Sequence, residues 1–349
     1  MSVRQIKYIC SIVLCLGMVL PVAAQRNAVQ VTPVTGQQRI SITVGGKPFT
    51  EFIYTDTMEK PFLYPIQAAD GQTITRGFPW HPQTNDPTDH PHHIGLWFNY
   101  EKVNGLDFWN NSYAIAADRK KNYGWIRTSA ILETKSGAQG KLVYAADWTN
   151  QQKDVLLKEK TTYLFQAGDN VRVIDRITEL TAEQNVSFPD AKDGLLGLRV
   201  AHELELPVTE TKEYKDDNGN ITTVTAPKDR TATGNYLTSA GKEGDAAWGT
   251  RGNWCMLYGR KGGDVISIAI IDHPANPGYP TYWHARNYGL FAANPLGQKV
   301  FSNGQEVLNF RLAKGQSATF RYRIVIASGN ARLPQEAIDQ YVKGFAAKP

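Results

Sequence analysis

The sequence predicts an all-β protein, a large antiparallel β-sandwich with a short C-terminal helix. Three features lead there. Apolar and polar residues alternate with a period of two in segment after segment, turn-forming residues separate those segments, and a helical period of apolar residues occurs only near the C-terminus. Strands and helices do not take turns along the chain as they would in a parallel sheet, which favours a sandwich.

The elements follow in order. Residues 39–44 alternate before Gly45-Gly46, and residues 141–146 and 265–271 continue the series. Residues 158–165 and 171–177 flank Gly168-Asp169, and Asp217-Asn218-Gly219 separates two Thr-rich arms, so both read as hairpins. Residues 318–326 form the clearest strand: Ala318, Phe320, Tyr322, Ile324 and Ile326 share one face, while Thr319, Arg321, Arg323 and Val325 share the other. The helix follows Pro334, where Ala337, Ile338, Tyr341, Val342 and Phe345 line one side.

Of 349 residues, 42 % are hydrophobic and 20 % charged, a balance that excludes disordered and collagen-like chains. Residues 1–24 read as a secretory signal peptide: Arg4 and Lys7 precede an apolar run that is too short to span a bilayer and ends in Val22-Ala23-Ala24. The expected product is exported, periplasmic or secreted, without a membrane span. Residues 25–349 form a single sandwich domain in this reading, with a division near residues 183–193 as the alternative. Export removes Cys10 and Cys15, so Cys255 cannot pair within the chain and reads as a buried small hydrophobe. Basic residues are interleaved with acidic ones throughout, which gives nucleic-acid binding no support. Neither a phosphate-binding glycine loop nor a G-x-S-x-G elbow occurs.

Chemistry-bearing residues gather in two places. Four of the seven histidines lie between His81 and His93, in a stretch that ends Asp89-His90-Pro91-His92-His93 and runs into Ile94-Gly95-Leu96-Trp97-Phe98. A strand starting near His93 puts His93, Gly95, Trp97 and Asn99 on one face, with the glycine as a gap between imidazole and indole. Pro91 keeps His90 and His92 in the preceding loop. Downstream, residues 272–286 join Asp272, His284 and Arg286 across a loop with three prolines, with Trp283 opposite His284 if the segment is extended. His202-Glu203 contributes at most one side chain, and Asp107-Phe108-Trp109 offers a carboxylate and an indole. Turn-capping histidines and core-packing tryptophans are the competing account.

These motifs resemble a bacterial family known as methane oxygenase PmoA. The resemblance rests on Thr75-Arg76-Gly77-Phe78-Pro79 and on the long stretches at 89–109 and 272–297, and it spans nearly the whole exported chain. It implies a secreted or periplasmic protein, often of polysaccharide-degrading bacteria, and carries over no catalytic residues. In size and strand content the chain also resembles the galactose-mutarotase-like supersandwiches, at the level of fold.

The resulting expectation is an exported carbohydrate-active enzyme, a hydrolase, lyase or epimerase, acting on a small-molecule or oligosaccharide substrate. His93 and His284 would move protons with help from Asp272 or Glu203. Arg76, Arg286 and Asp107 would bind substrate polar groups while Trp97, Trp109 and Trp283 stack on the sugar ring. One alternative is a metal-dependent oxidoreductase, as the PmoA name suggests, with a divalent metal on His90, His92 and His93. Another is a carbohydrate-binding protein without catalysis.

Overall fold

The computed structural model describes residues 28–84, 86–215, 218–225 and 231–347. Residues 1–24, read above as a signal peptide, and Asp217 of the second expected hairpin lie outside the described residues. The predicted alternation builds two eight-stranded antiparallel sheets. One runs in the order β1 (Val29–Pro33), β2 (Arg39–Val44), β3 (Lys47–Ile53), β4 (Phe62–Leu63), β5 (Leu96–Tyr100), β11 (Gly194–Arg199), β18 (Leu290–Asn294) and β17 (Tyr282–Ala285). The other runs β14 (Asn235–Thr238), β15 (Trp254–Lys261), β16 (Asp264–Asp272), β20 (Ser317–Gly329), β9 (Val171–Ala182), β8 (Val155–Ala167), β7 (Gly140–Thr149) and β6 (Trp125–Lys135). Among the described residues there are two further short pairs: β10 (Val186–Phe188) with β19 (Phe310–Leu312), and β12 (Lys212–Lys215) with β13 (Ile221–Val224).

Between the sheets lies a core that includes Leu96, Phe98, Leu196, Ala293, Trp283, Phe320 and Ile324. It also encloses an ion pair. Glu159 accepts hydrogen bonds from Arg176 Nη2 (2.8 Å), the Tyr144 hydroxyl (2.7 Å) and Trp148 Nε1 (2.8 Å), and the Arg176 guanidinium lies over the Phe98 ring on the opposite sheet. Glu159, Arg176, Tyr144 and Trp148 all belong to the second sheet, so the pair is satisfied within that sheet and reaches across the core through the Arg176–Phe98 contact. Cys255 is buried and free, and burial pushes its thiol well above the ordinary range, in keeping with a hydrophobic role.

The strand at 318–326 exists within β20 but is buried on both faces along its second half. The reason is the C-terminal helix. After a single-turn helix α1 (Gln298–Phe301), too short for any periodicity to reveal, α2 (Gln335–Ala346) packs Ile338 and Phe345 onto Val325, Ile271 and Met256 on the outer face of the second sheet. Arg323 donates to both Asp175 carboxylate oxygens (2.6 and 2.8 Å) beneath the Phe345 ring, so even the polar face of β20 is enclosed.

Register settles which residues leave the core. Across β5, β11, β18 and β17 one row reads Phe98, Leu196, Ala293, Trp283 and the next reads Trp97, Gly197, Ala292, His284. Pleating sends alternate rows to opposite faces, so the first row enters the core and the second faces outward. Trp97, Ala292 and Leu290 there join Trp109 and Tyr288 in a separate apolar cluster on the outer face. Truncation of Phe345 to alanine is expected to cost ~3 kcal/mol, read as a lower urea midpoint with the outer-face cluster left unaltered.

Candidate functional site

A cavity of about 420 Å³ opens on this outer face, within the range of small-ligand sites. Its wall draws on the histidine loop, on residues 109–115, on the β12–β13 hairpin, and on His284, Arg286 and Tyr288. The two regions singled out by sequence, far apart in the chain, therefore meet in one place, as do His93 and His284.

Arg76 organises the histidine loop. Its Nη1 donates to the carbonyls of Pro87 (3.1 Å) and Asp89 (2.9 Å), and its Nη2 to those of His90 and His93 (both 3.0 Å). The His90 carbonyl also accepts from the His93 N–H at 3.0 Å, but those of Pro87, Asp89 and His93 belong to a loop without ladder partners and take their donor from Arg76. Lys60 Nζ supplies a fifth donor, to the His92 carbonyl at 2.7 Å. Burial lowers both cations, Arg76 to about 9 with Arg199 adding repulsion, and Lys60 to about 8. The clamp holds His90 at φ +42°, a left-handed conformation uncommon for a residue other than glycine.

Asp89 is the second anchor. Arg199 grips its carboxylate through two bonds of 2.8 and 3.0 Å, and His90 Nδ1 lies 2.6 Å from Oδ1. Burial alone would raise the Asp89 carboxyl, but Arg199, with His90 and Arg76 assisting, outweighs it and holds it well below the usual carboxylate range. Because Asp89 is ionised, His90 carries its proton on Nδ1 and leaves Nε2 as an acceptor. Arg199 also reaches Glu205 at 3.3 Å, and Glu205 Oε2 lies 2.9 Å from His202 Nδ1. His202 is thereby engaged beside the network and does not line the cavity.

Two of the three loop imidazoles stack, and His92 stands edge-on to both. The rings of His90 and His93 are nearly parallel at 4.7 Å, His90 and Tyr288 at 4.8 Å, and His93 lies over Trp97 at 5.3 Å. Burial lowers every one of them: His90 to about 4, and His92 and His93 well below their ordinary value. At neutral pH the site therefore offers uncharged rings. Ring nitrogen lone pairs lie in the ring plane, so the parallel rings of His90 and His93 do not converge on one point. Among the described residues no three His, Cys, Asp or Glu side chains are grouped to hold a metal ion.

On the opposite wall His284 Nε2 accepts from Arg286 Nε at 3.0 Å, and its Nδ1 lies 3.3 Å from Asp193 Oδ1. Burial first, then Arg286, holds His284 well below its ordinary pKa. With Nε2 committed to Arg286, His284 is a positioning group rather than a proton carrier.

Several expected roles change. Arg76 binds the loop's own carbonyls. Trp97 is the floor beneath His93, fully buried, and Trp283 belongs to the inner row and the sandwich core. Asp107 accepts from Asn110 and from Asn218 Nδ2, tying loop to hairpin outside the cavity lining. Asp272 lies at the end of β16, accepting from Asn276, Thr281 and His273, and burial raises it to about 7; it is no neighbour of the cavity. Glu203 pairs with Lys261 beside a different depression. Gly95 is not a gap for ligand: it takes φ +56°, and a Cβ there would stand 2.1 Å from the Leu63 carbonyl oxygen. Trp109, Arg286, His90, His92 and His93 do line the cavity. Sequence reasoning missed Arg199, Asp193, Tyr214 and Tyr288, although Tyr288 lies inside the 272–297 motif.

Gly197 lies under Trp97 and Trp109, where an added Cβ would come within 2.4 and 2.8 Å of their rings. Gly197→Ala is therefore expected to displace Trp109, lowering thermal stability and altering Trp fluorescence. Arg76→Lys, which cannot reach four carbonyls at once, is expected to cost on the order of 3 kcal/mol, measured by chemical denaturation. The depressed histidines also set a pH dependence. Between the ordinary 6.5 and about 4 for His90, the unfolded chain binds protons that the folded chain refuses, so stability is lost as pH falls through that window. His92, His93 and His284 act in the same direction, while Asp272, raised to about 7, acts in the opposite one. Four groups outweigh one, and the melting temperature is expected to drop between pH 7 and pH 4 by scanning calorimetry.

No curated protein matches this chain. Among solved structures it is similar to the galactosidase domain of the alpha-galactosidase-sucrose kinase AgaSK (9 % identity, 86 % of this chain and 42 % of that one, TM-score 0.34). It is likewise similar to the GH36 alpha-galactosidase AgaB from Geobacillus stearothermophilus (8 % identity, 86 % and 41 %, TM-score 0.32). A galactose mutarotase related enzyme from Lactobacillus acidophilus shares 9 % identity over 88 % of this chain and 99 % of that one, with a TM-score of 0.31. This chain spans about two fifths of the two galactosidase structures. None of these likenesses supports the PmoA name. A family model matches residues 39–343, and by it the chain belongs to DUF6807, a family of unknown function.

Proposed function

We propose that this protein is an exported carbohydrate-active enzyme that works by proton transfer, a lyase or an epimerase, with His90 as the proton acceptor. The reading rests on one observation: a sugar-sized cavity with Trp109, Tyr214 and Tyr288 on its wall, and beside them an uncharged imidazole oriented by an ionised carboxylate. Aromatic faces take the apolar side of a sugar ring, and neutral nitrogen acceptors take its hydroxyls. Asp89 fixes the tautomer and orientation of His90, as carboxylates do for catalytic imidazoles elsewhere.

Hydrolysis by two carboxylates is less favoured. That chemistry needs one carboxyl held protonated as an acid, whereas Asp89 is locked as an anion under Arg199. A second reading, a binding protein without turnover, draws support from His284, whose Nε2 already accepts from Arg286.

Turnover on an oligosaccharide panel, with and without chelator, separates these readings. Under the proton-transfer reading, His90→Asn is expected to lower kcat by ~100-fold or more with KM little changed. The wild-type rate should also fall as pH drops through about 4, where His90 takes up its proton. A panel that shows binding but no product leaves the binding protein; activity lost only to chelator returns the metal-dependent alternative.

A further inference from the structure

We infer that the sugar this cavity accepts carries a carboxylate, a uronic acid, and that Arg286 is the residue that receives it. The inference rests on the carbohydrate reading above and deepens it. The Arg286 guanidinium lies over two aromatic rings, Trp248 at 4.8 Å and Tyr214 at 5.4 Å, and its Nε is fixed on His284 Nε2 at 3.0 Å. Its two Nη groups hydrogen-bond none of the described residues. Arg286 thus presents the end of a planar fork, already oriented, on the wall of the cavity. Such a fork matches the two oxygens of a carboxylate, and little freedom is left to lose on binding.

Charge accounting points the same way. The cavity wall carries Lys192, Lys215 and Arg286 against Asp89 and Asp193. Asp89 is already matched from behind by Arg199 and Arg76, neither of which lines the cavity. The histidines are uncharged, as derived above. What faces a ligand is therefore three cations and the Asp193 carboxylate, 3.6 Å from Lys192. A neutral sugar would leave that excess unanswered, and an acidic one would meet it. Trp248, 37 % exposed, extends an aromatic surface beside the same guanidinium, where a neighbouring ring of an acidic oligosaccharide could lie.

Titration calorimetry on the exported chain tests this with glucuronic acid, galacturonic acid and their short oligomers as probes. The corresponding neutral hexoses and a hexose sulfate form the comparison arms. The acids are expected to bind about tenfold more tightly than their neutral counterparts, with the preference weakening as salt rises. Arg286→Gln should abolish the preference and Arg286→Lys should keep part of it, with thermal melts confirming that both fold. Neutral hexoses binding as tightly as the acids would overturn the assignment and leave the carbohydrate reading intact. Binding by no sugar in any arm would overturn both. A sulfate bound more tightly than the carboxylates would overturn the uronic acid while keeping an anion site at Arg286. Should Arg286→Gln fail to fold, the comparison of acid with neutral sugar on the wild type decides alone.

Discussion

The site depends on one buried guanidinium. The loop that carries His90, His92 and His93 has no strand partner, and its carbonyls at Pro87, Asp89, His90 and His93 converge on Arg76. A buried carbonyl without a donor is costly, and only that of His90 has a second donor, the His93 N–H at 3.0 Å, so the loop's conformation leans on this side chain. A single planar group with several N–H bonds in fixed directions satisfies all four. Lysine has the charge but not the geometry.

Around that clamp the charges are arranged so that none is left alone. Arg199 stands against Asp89 and Glu205, and the proximity of Arg76 is tolerated because Asp89 lies beside both cations. This arrangement keeps Asp89 ionised. An ionised Asp89 in turn holds His90 in one tautomer, and burial keeps that ring uncharged. Stability and chemistry are therefore linked through the same side chains: the desolvation that makes the histidines neutral acceptors is also what makes the fold sensitive to acid.

The outer face is a consequence of register. Small residues at Gly197 and Ala292 leave room over the two central strands, and bulky Trp97 and His284 stand at either end of the row. Trp109 packs into that room over Gly197. The apolar cluster that results supports the cavity without belonging to the sandwich core, which is how aromatic residues prominent in the sequence came to be divided between core and site.

The sequence by itself determined the β class, the strands at 39–44, 141–146, 158–165, 171–177, 265–271 and 318–326, the terminal helix, and the two motif regions that meet at the cavity. These are local properties: alternation, turn chemistry and clustered residue types are visible wherever they occur. Tertiary structure alone decided the roles within the motifs. Trp283 and His284 are neighbours whose opposite fates follow from strand register, and Asp272 and Glu203 carry suitable chemistry but lie on elements that lead away from the cavity. Arg76 and Arg286 look alike in sequence. One is enclosed by backbone carbonyls and the other lies over two aromatic rings with its Nη groups hydrogen-bonded to none of the described residues, a difference set by which distant segments fold against each of them.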